Sequence, residues 1–395
     1  MKNKTFSLKF LSMIFVAFFL TVSHNTIFNS TILNAQLSPI FKGNKIGYID
    51  STGTIIIPCL YETDINYDFF VVGGKTIIDF RIPNWARFND GGVTVKIPRK
   101  IFIYTHSYTY AMLNEKGEHI FQPTENMIYG LSQGIAVYKR LFKNAQKVYD
   151  FNFSYVDLNQ NFINEAAYSF AGSFNNGIAL VIVDNSEYQY INRKGDKAFD
   201  IKALQTGNSK IDIVESFSDG LAAIKVDSLW GYIDTTGNWV IPPKFHSAFS
   251  FNDGLARVSD GRYFTYIDKK GQEITLYEFD FADNFSNGLG LVRKGMKFGY
   301  IDTIGELVIP FDYIYAQPFS EGLAAVYHNG SIAFIDTKGN IVINKKFDYA
   351  KGFLYGLARV WKNDELFYIN KKGDIVHLIL TKNQYRSKKS KMLKN

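Results

Sequence analysis

The chain has a single cysteine, Cys59, in 395 residues, so it forms no internal disulfide and its fold must rest on packing alone. Histidine is almost as scarce. The six, at 24, 106, 119, 246, 328 and 377, include no pair at metal-ligand spacing and no His-Glu-x-x-His, so neither a metal nor any other cofactor is expected. A Gly-x-Ser-x-Gly elbow is missing too, which removes the commonest serine hydrolase signature. Beyond residue 22 there is no long uncharged apolar run, and no stretch keeps an apolar period of 3.6. Membrane helices and amphipathic helices are therefore not expected in the body of the chain.

The formal charge of +7 comes from the two ends. Lys2, Lys4 and Lys9 lie in residues 1–36, and Lys382, Arg386, Lys388, Lys389, Lys391 and Lys394 lie in 381–395; neither segment has an acid. Without those nine, 35 basic residues face 37 acidic ones, so the body carries about −2. A body so nearly neutral lacks the basic face that nucleic acid requires, and no nucleic-acid partner is expected. The basic tail at 381–395 reads as a solvated end, with weak contact to an anionic surface as its other use. The three leading lysines precede an apolar run over residues 10–22, which is signal-peptide length and short for a membrane span. Residues 1–36 are thus read as an export signal, cleaved after Ser23 or after Ala35. No cysteine follows the run, which argues against a lipid anchor. Periplasm, cell surface or exterior is the expected compartment.

What the chain has in quantity is glycine (31), phenylalanine (35) and tyrosine (25), and they recur at a fixed interval. Tyr232, Tyr266, Phe334 and Tyr368 share a step of 34 residues with Tyr300, and Gly220, Gly254, Gly288, Gly322 and Gly356 keep the same step. A constant period of this length marks a repeat array and outranks any local motif. Five regular copies fill residues 212–380. Four irregular ones with insertions fill 37–211, which makes nine in all. Inside a copy the apolar positions alternate: Leu255 and Arg257 point one way, Ala256 and Val258 the other. That is strand periodicity. Each copy reads as a three-stranded meander of a Gly-Leu-Ala strand, a Tyr-Ile-Asp strand and a Val-Ile-Pro strand.

The turn after each Tyr-Ile-Asp strand pairs Asp or Asn with a glycine three residues on, as in Asp50 and Gly53, Asn192 and Gly195, or Asp234 and Gly237. The side chain accepts from backbone two residues ahead, and the glycine takes the left-handed position that closes a hairpin. The third copy, at Asp157, lacks the glycine. One column stays small, at Ala136, Ala179, Ala222, Ala256, Gly290, Ala324 and Ala358, which predicts close approach of neighbouring units. The expected architecture is all-β: tandem meanders of about 34 residues stacked as a curved or superhelical solenoid. A β-propeller is the alternative, because such units also close radially.

Trp230, Gly231, Tyr232, Ile233 and Asp234, with the upstream Phe217, Asp219, Gly220, Leu221 and Ala222, resemble the WG-containing (KWG) repeats of bacterial proteins. The resemblance spans roughly residues 43–376. It is strongest in the last five copies, although the Trp-Gly dipeptide is whole only at Trp230 and Gly231. It implies a β-rich, exported or surface-associated bacterial protein, and brings no catalytic residues with it.

Two further motifs dissolve on inspection. Gly73, Gly74, Lys75 and Thr76 end like a phosphate loop, but Phe69 stands where its first glycine is needed. Asp157, Asn159 and Asn161 begin like a calcium loop, but Phe162 and Tyr168 replace its glycine and closing acid. A stronger candidate is the insertion around residues 98–112. There Phe102, Tyr104, His106, Tyr108 and Tyr110 share one face of a strand. Exposed, that face is a stacking platform for a glycan or peptide; buried, it packs on the next unit. Insertions in repeat arrays map to one, often binding, face. The expected function is therefore non-enzymatic binding or scaffolding in the bacterial envelope or exterior, with a protein or glycan ligand. An enzyme acting on an envelope polysaccharide and a structural spacer in a surface assembly are the alternatives.

Overall fold

The computed structural model describes residues 37–384, except 44, 64–65, 73–74, 82–92, 100–106, 144–148, 184–186, 206, 208 and 277. Strands dominate it, and they fall into nine successive antiparallel units, the first two joined into one six-stranded sheet by the pairing of Glu62 with Lys96. The fifth unit shows the full pattern: a leading strand Ile211–Val214, then Leu221–Val226, Leu229–Asp234 and Trp239–Phe245, each paired with the next. The expected all-β array of tandem meanders is what forms. The leading strand is an addition to the three expected. It is two residues long in several units, as at Ser247–Ala248 and Phe281–Ala282, too short to leave a period in the sequence. An extra two-stranded hairpin, Asn66–Val72 with Lys75–Arg81, is inserted between the first and second units.

The predicted turns are present. Asp234 Oδ1 accepts from the backbone N–H of Thr236 at 2.9 Å and of Asn238 at 3.0 Å, and Gly237, at φ +87°, closes the hairpin. In the third unit, where the glycine is missing, Gln160 takes the left-handed position itself at φ +66°. The Asp157 carboxylate accepts from Asn159 and Asn161 backbone, so the residues resembling a calcium loop are a turn.

Neighbouring units meet through one contact repeated along the chain. The Tyr-Ile-Asp tyrosine is fully buried, and its ring stands edge-on to a phenylalanine of the next unit: Tyr232 on Phe251 at 4.9 Å, Tyr266 on Phe285 at 4.7 Å, Tyr300 on Phe319 at 4.8 Å. Its hydroxyl donates to a carbonyl just past the next leading strand, Tyr232 to Phe249 at 2.7 Å and Tyr266 to Asp283 at 2.6 Å. A buried tyrosine needs such a partner, and the bond sets the spacing between units. The small column lies in this contact. A Cβ on Gly290 would come within 2.8 Å of the Phe285 ring and 3.0 Å of the Tyr266 hydroxyl. Ala222, Ala256, Ala324 and Ala358 are buried. The close approach predicted from sequence is therefore present.

Curvature carries this contact back to its origin. Tyr368, in the ninth unit, donates its hydroxyl to Pro39 of the first at 3.0 Å, across 329 positions of sequence. Ile40 and Ile49 of the first unit share one core cluster with Tyr349, Leu357, Trp361, Leu366, Ile379 and Leu380 of the ninth. The turn glycine Gly53 sits against Val376, as Gly339 sits against Ile309 elsewhere. The stack closes on itself, the feature that distinguishes the radial alternative from an open end. In the closing unit Ser38–Lys42 stands in the place of the Gly-Leu-Ala strand, pairing directly with Lys45–Ile49.

A two-stranded ribbon as the candidate functional site

In the regular units the hairpin between the Gly-Leu-Ala and Tyr-Ile-Asp strands is short, as at Val226 and Leu229. The second and third units depart from this. Val93–Arg99 pairs with Ser107–Leu113, and Ile135–Lys143 pairs with Tyr149–Asp157 through nine residue pairs, from Ile135 with Asp157 to Lys143 with Tyr149. Flanking strands cover only the base of the third-unit hairpin: Met127–Ser132 stops pairing at Lys139, and Phe153 bridges Tyr168 on the other side. Beyond those points, among the described residues, the hairpin continues as a two-stranded ribbon with no flanking strand.

Strand alternation assigns the two faces of this ribbon. Val137 and Lys139, with Tyr155 and Phe153 opposite, share one face, and Val137, Tyr155 and Phe153 join the core of the fourth unit. Ala136, Tyr138, Arg140 and Phe142 face the second unit. Ala136 packs with Met112 and Phe121, and the Tyr138 hydroxyl accepts from Asn126 Nδ2 at 2.8 Å. Phe162, just past the Asp157 turn, closes this side. It lies edge-on to Tyr138 at 5.3 Å, with the Arg140 guanidinium 5.0 Å from its ring. Phe142 and Phe162 remain 38% and 43% exposed, far more than core phenylalanines such as Phe174. Asn152, which pairs with Arg140 across the ribbon, holds a buried amide oxygen with no partner among the described residues.

The opposite face is also aromatic and cationic. Lys139 Nζ lies 3.7 Å from the centre of the Phe151 ring, and Phe151, 46% exposed, packs edge-on against Phe153. Each exposed cation on an aromatic face contributes roughly 0.5–1 kcal/mol. Below them burial pushes the Tyr129 hydroxyl up to about 12, so it stays neutral. The groups assembled here stack, donate and attract anions. Among the described residues they include no paired carboxylates and no nucleophile with a base beside it.

Of the residues singled out from sequence, Phe102, Tyr104 and His106 lie outside the described residues. Tyr108 pairs with Pro98, and its side chain also falls outside them. Tyr110 is half-buried and stands two residues before Met112, on the face toward the third unit. Of the stripe, Tyr110 is thus the residue whose side chain is described. Tyr138, Arg140, Phe142 and Phe162 were missed. Their signal was the alternation of Tyr138, Arg140 and Phe142, which reads like any strand until its flanking strands are known to end early.

The carboxylates are mostly committed elsewhere. Asp219, Asp253 and Glu321 accept from the backbone N–H of Gly254, Gly288 and Gly356 in the following unit, and Asn176 and Asn287 do the same for Gly220 and Gly322. Among the described residues no group of three His, Cys, Asp or Glu could hold a metal, and no helix is long and apolar enough to cross a membrane.

The model of the WG containing repeat matches at residues 46–68, 153–186, 210–230, 230–262, 264–297, 298–331 and 333–365, more than half of the chain. The chain belongs to the WG containing repeat family. In this WG repeat protein the family glycine has a visible cause. A Cβ on Gly231 would lie 2.5 Å from the Ile241 carbonyl oxygen and 2.8 Å from the Pro242 carbonyl carbon; Gly47 and Gly299 meet Ile57 and Ile309 in the same way. Comparison with curated proteins returned no match. Among solved structures, AztD of Citrobacter koseri is similar at 11% identity over 70% of this chain and 92% of that one, with a TM-score of 0.32. The extracellular domain of a hybrid two component system of B. thetaiotaomicron is similar at 11% identity over 92% and 72%, with a TM-score of 0.29. A protein of Listeria monocytogenes EGD-e gives 14% identity over 65% and 91%, with a TM-score of 0.34. Scores below 0.5 do not establish a common fold, and nothing of these proteins' roles passes to the WG repeat protein.

Proposed function

We propose that this WG repeat protein is an exported, non-enzymatic binding or scaffolding protein of the bacterial envelope or exterior, and that it recognises a protein or glycan ligand with the ribbons of its second and third units. One observation carries the reading. The array is closed and regular over most of its length, yet its third unit extends a two-stranded ribbon carrying Phe142 and Phe151 in the open, with exposed Phe162 beside its base; Lys139 lies over the Phe151 ring and Arg140 near that of Phe162. Exposed aromatic patches of this kind mark interaction sites, because leaving them in water is unfavourable unless a ligand covers them. The remaining units supply a rigid support. Export rests on the lysine-flanked apolar run at residues 10–22. The basic tail adds weak attraction to an anionic surface.

The test is a glycan and envelope-extract binding screen of the mature chain beside a Phe142→Ala/Phe162→Ala variant, with Tyr110→Ala as a third sample. A specific ligand held by the wild type and lost by the double variant, at unchanged melting temperature, is the expected result. Equal binding by all three would remove the ribbon as the recognition site. Cell fractionation with N-terminal sequencing checks export and reports whether the mature chain begins after Ser23 or after Ala35.

A further inference from the structure

In the fifth and seventh units the Tyr-Ile-Asp strand is covered along its length by an outer strand, Trp239–Phe245 and Leu307–Tyr313. In the third, fourth and sixth units the sheet ends on that strand, and isolated bridges stand in for the outer one. What sets the third unit apart is the length of its edge strand, Tyr149–Asp157: among the described residues its outer side is met by the bridges of Phe153 with Tyr168 and Val156 with Phe162 and by the Ile163 N–H on the Tyr155 carbonyl. Phe153 gives its N–H to the Tyr168 carbonyl and receives the Tyr168 N–H, both at 2.8 Å. Two residues earlier, alternation turns the N–H and carbonyl of Phe151 to that same outer side. Among the described residues no strand lies there: the chain after Tyr168 turns away into Phe170–Ala171, which pairs with Ile182 and Val181. The Phe151 N–H is held instead by its own neighbour, the Asp150 carboxylate, at 2.8 Å.

We propose that this open edge, Asp150–Asn152, takes up an extended acidic segment of a partner protein by strand addition, with Phe151 as the apolar contact and Lys139 as the charge contact. The inference rests on the binding role proposed above and names the partner class. Unpaired edge groups are a template for another strand, and main-chain bonds supply affinity while side chains supply choice. A residue added opposite Phe151 falls on the same face as Lys139, whose ammonium already lies over the Phe151 ring. Arg140 on the other face extends the preference for acids to both sides of the added strand. Asp150 acts as a gatekeeper. It occupies the Phe151 N–H until an incoming carbonyl replaces it, and it blunts pairing of the edge with unselected strands.

The test uses the mature full-length chain and a fluorescein-labelled (Val-Glu)4 peptide, with (Val-Lys)4 as the control, read by fluorescence anisotropy at low and at 0.5 M salt. The acidic peptide is expected to bind at least about tenfold more tightly than the basic one, and to weaken as salt screens the contact. Phe151→Pro removes the outward N–H while sparing the bonds to Ile135–Lys143, and is expected to lower affinity about tenfold. Asp150→Ala frees the same N–H and is expected to raise it several-fold, whereas Lys139→Glu inverts the preference between the two peptides. Because Asp150→Ala and Lys139→Glu leave the ribbon backbone intact, they decide the matter if Phe151→Pro fails to fold. Equal binding of both peptides, no binding of either, or a gain on Phe151→Pro overturns the proposal. So does a wild-type dimer dissolved by Phe151→Pro, which would assign the edge to a second copy of the chain. A glycan ligand lost with Phe142→Ala/Phe162→Ala alone would overturn strand addition and leave the broader binding role standing.

Discussion

Ile40→Ala tests whether the array is closed. Ile40 is 2% exposed, and apart from Ile49 the buried residues of its cluster, from Tyr349 to Leu380, belong to the ninth unit. Truncating a buried isoleucine to alanine costs roughly 2–5 kcal/mol, the lost transfer energy plus the cavity left behind. Here the cavity opens in the seam between the first and last units. In a closed array the loss reaches both sides of that seam, so hydrogen exchange followed by mass spectrometry should speed up in residues 38–62 and also in 357–380. Ile224→Ala, equally buried in the cluster between the fourth and fifth units, is the control. It should cost a similar amount and leave 357–380 protected. If Ile40→Ala changes exchange only within 38–62, and costs under about 0.5 kcal/mol like an ordinary surface change, the closure argument fails.

Two other predictions concern the repeat itself. Gly231→Ala should cost roughly 1–3 kcal/mol in urea denaturation, because its Cβ would meet the backbone of Ile241, Pro242 and Pro243 rather than a side chain that can move. Adding Pro242→Asn should recover part of that loss. The eighth unit combines Ala333 with Asn344 in the same register, and there Lys346 takes up the bulge at φ +55°. The second prediction is a loss of stability in acid. At Asp234 burial opposes ionisation, but the Thr236 hydroxyl and the backbone N–H groups of Asn238, Thr236 and Gly237 outweigh it and hold the carboxyl below its usual range. Asp50 is held down in the same way, while at Asp336 the Asn340 side chain is the largest influence. A lowered folded value means that the stabilisation is complete above the ordinary carboxylate range and disappears as pH falls through the folded value. Asn114, Asn192 and Asn370 make the same backbone bonds with a neutral amide. The triple change of Asp50, Asp234 and Asp336 to Asn should therefore lower the melting temperature at pH 7 modestly, by the share that ionisation adds, and shallow its fall below pH 4.

Much of the fold was legible because a repeat writes the same physical requirement many times. One Ala in a strand says little, but Ala or Gly at the corresponding place in seven copies reports a contact that excludes larger side chains, and Gly290 against Phe285 and Tyr266 is that contact. The Asp or Asn turns were legible for the same reason, down to the copy without glycine, where Gln160 substitutes for it. The leading strands were not. Two residues such as Ser247–Ala248 carry no alternation, and they are strands only because the neighbouring Ala256–Ser259 offers free backbone groups. The ribbon was only partly legible. The second-unit insertion drew attention to Tyr110, whereas Phe142 went unremarked and Phe162 entered only as the residue in place of a calcium-loop glycine.

By itself the sequence determined the strand class, the nine-fold repetition, the turn chemistry and the apolar run at residues 10–22, because all of these depend on residues near one another in the chain. Only the tertiary structure decided that the ninth unit meets the first, since Tyr368 and Pro39 lie 329 positions apart and neither carries a mark of its partner. It alone decided which aromatics stay in water as well. Burial of a strand residue depends on whether a neighbouring strand runs beside it, and at Phe151 and Phe142 the neighbours stop short.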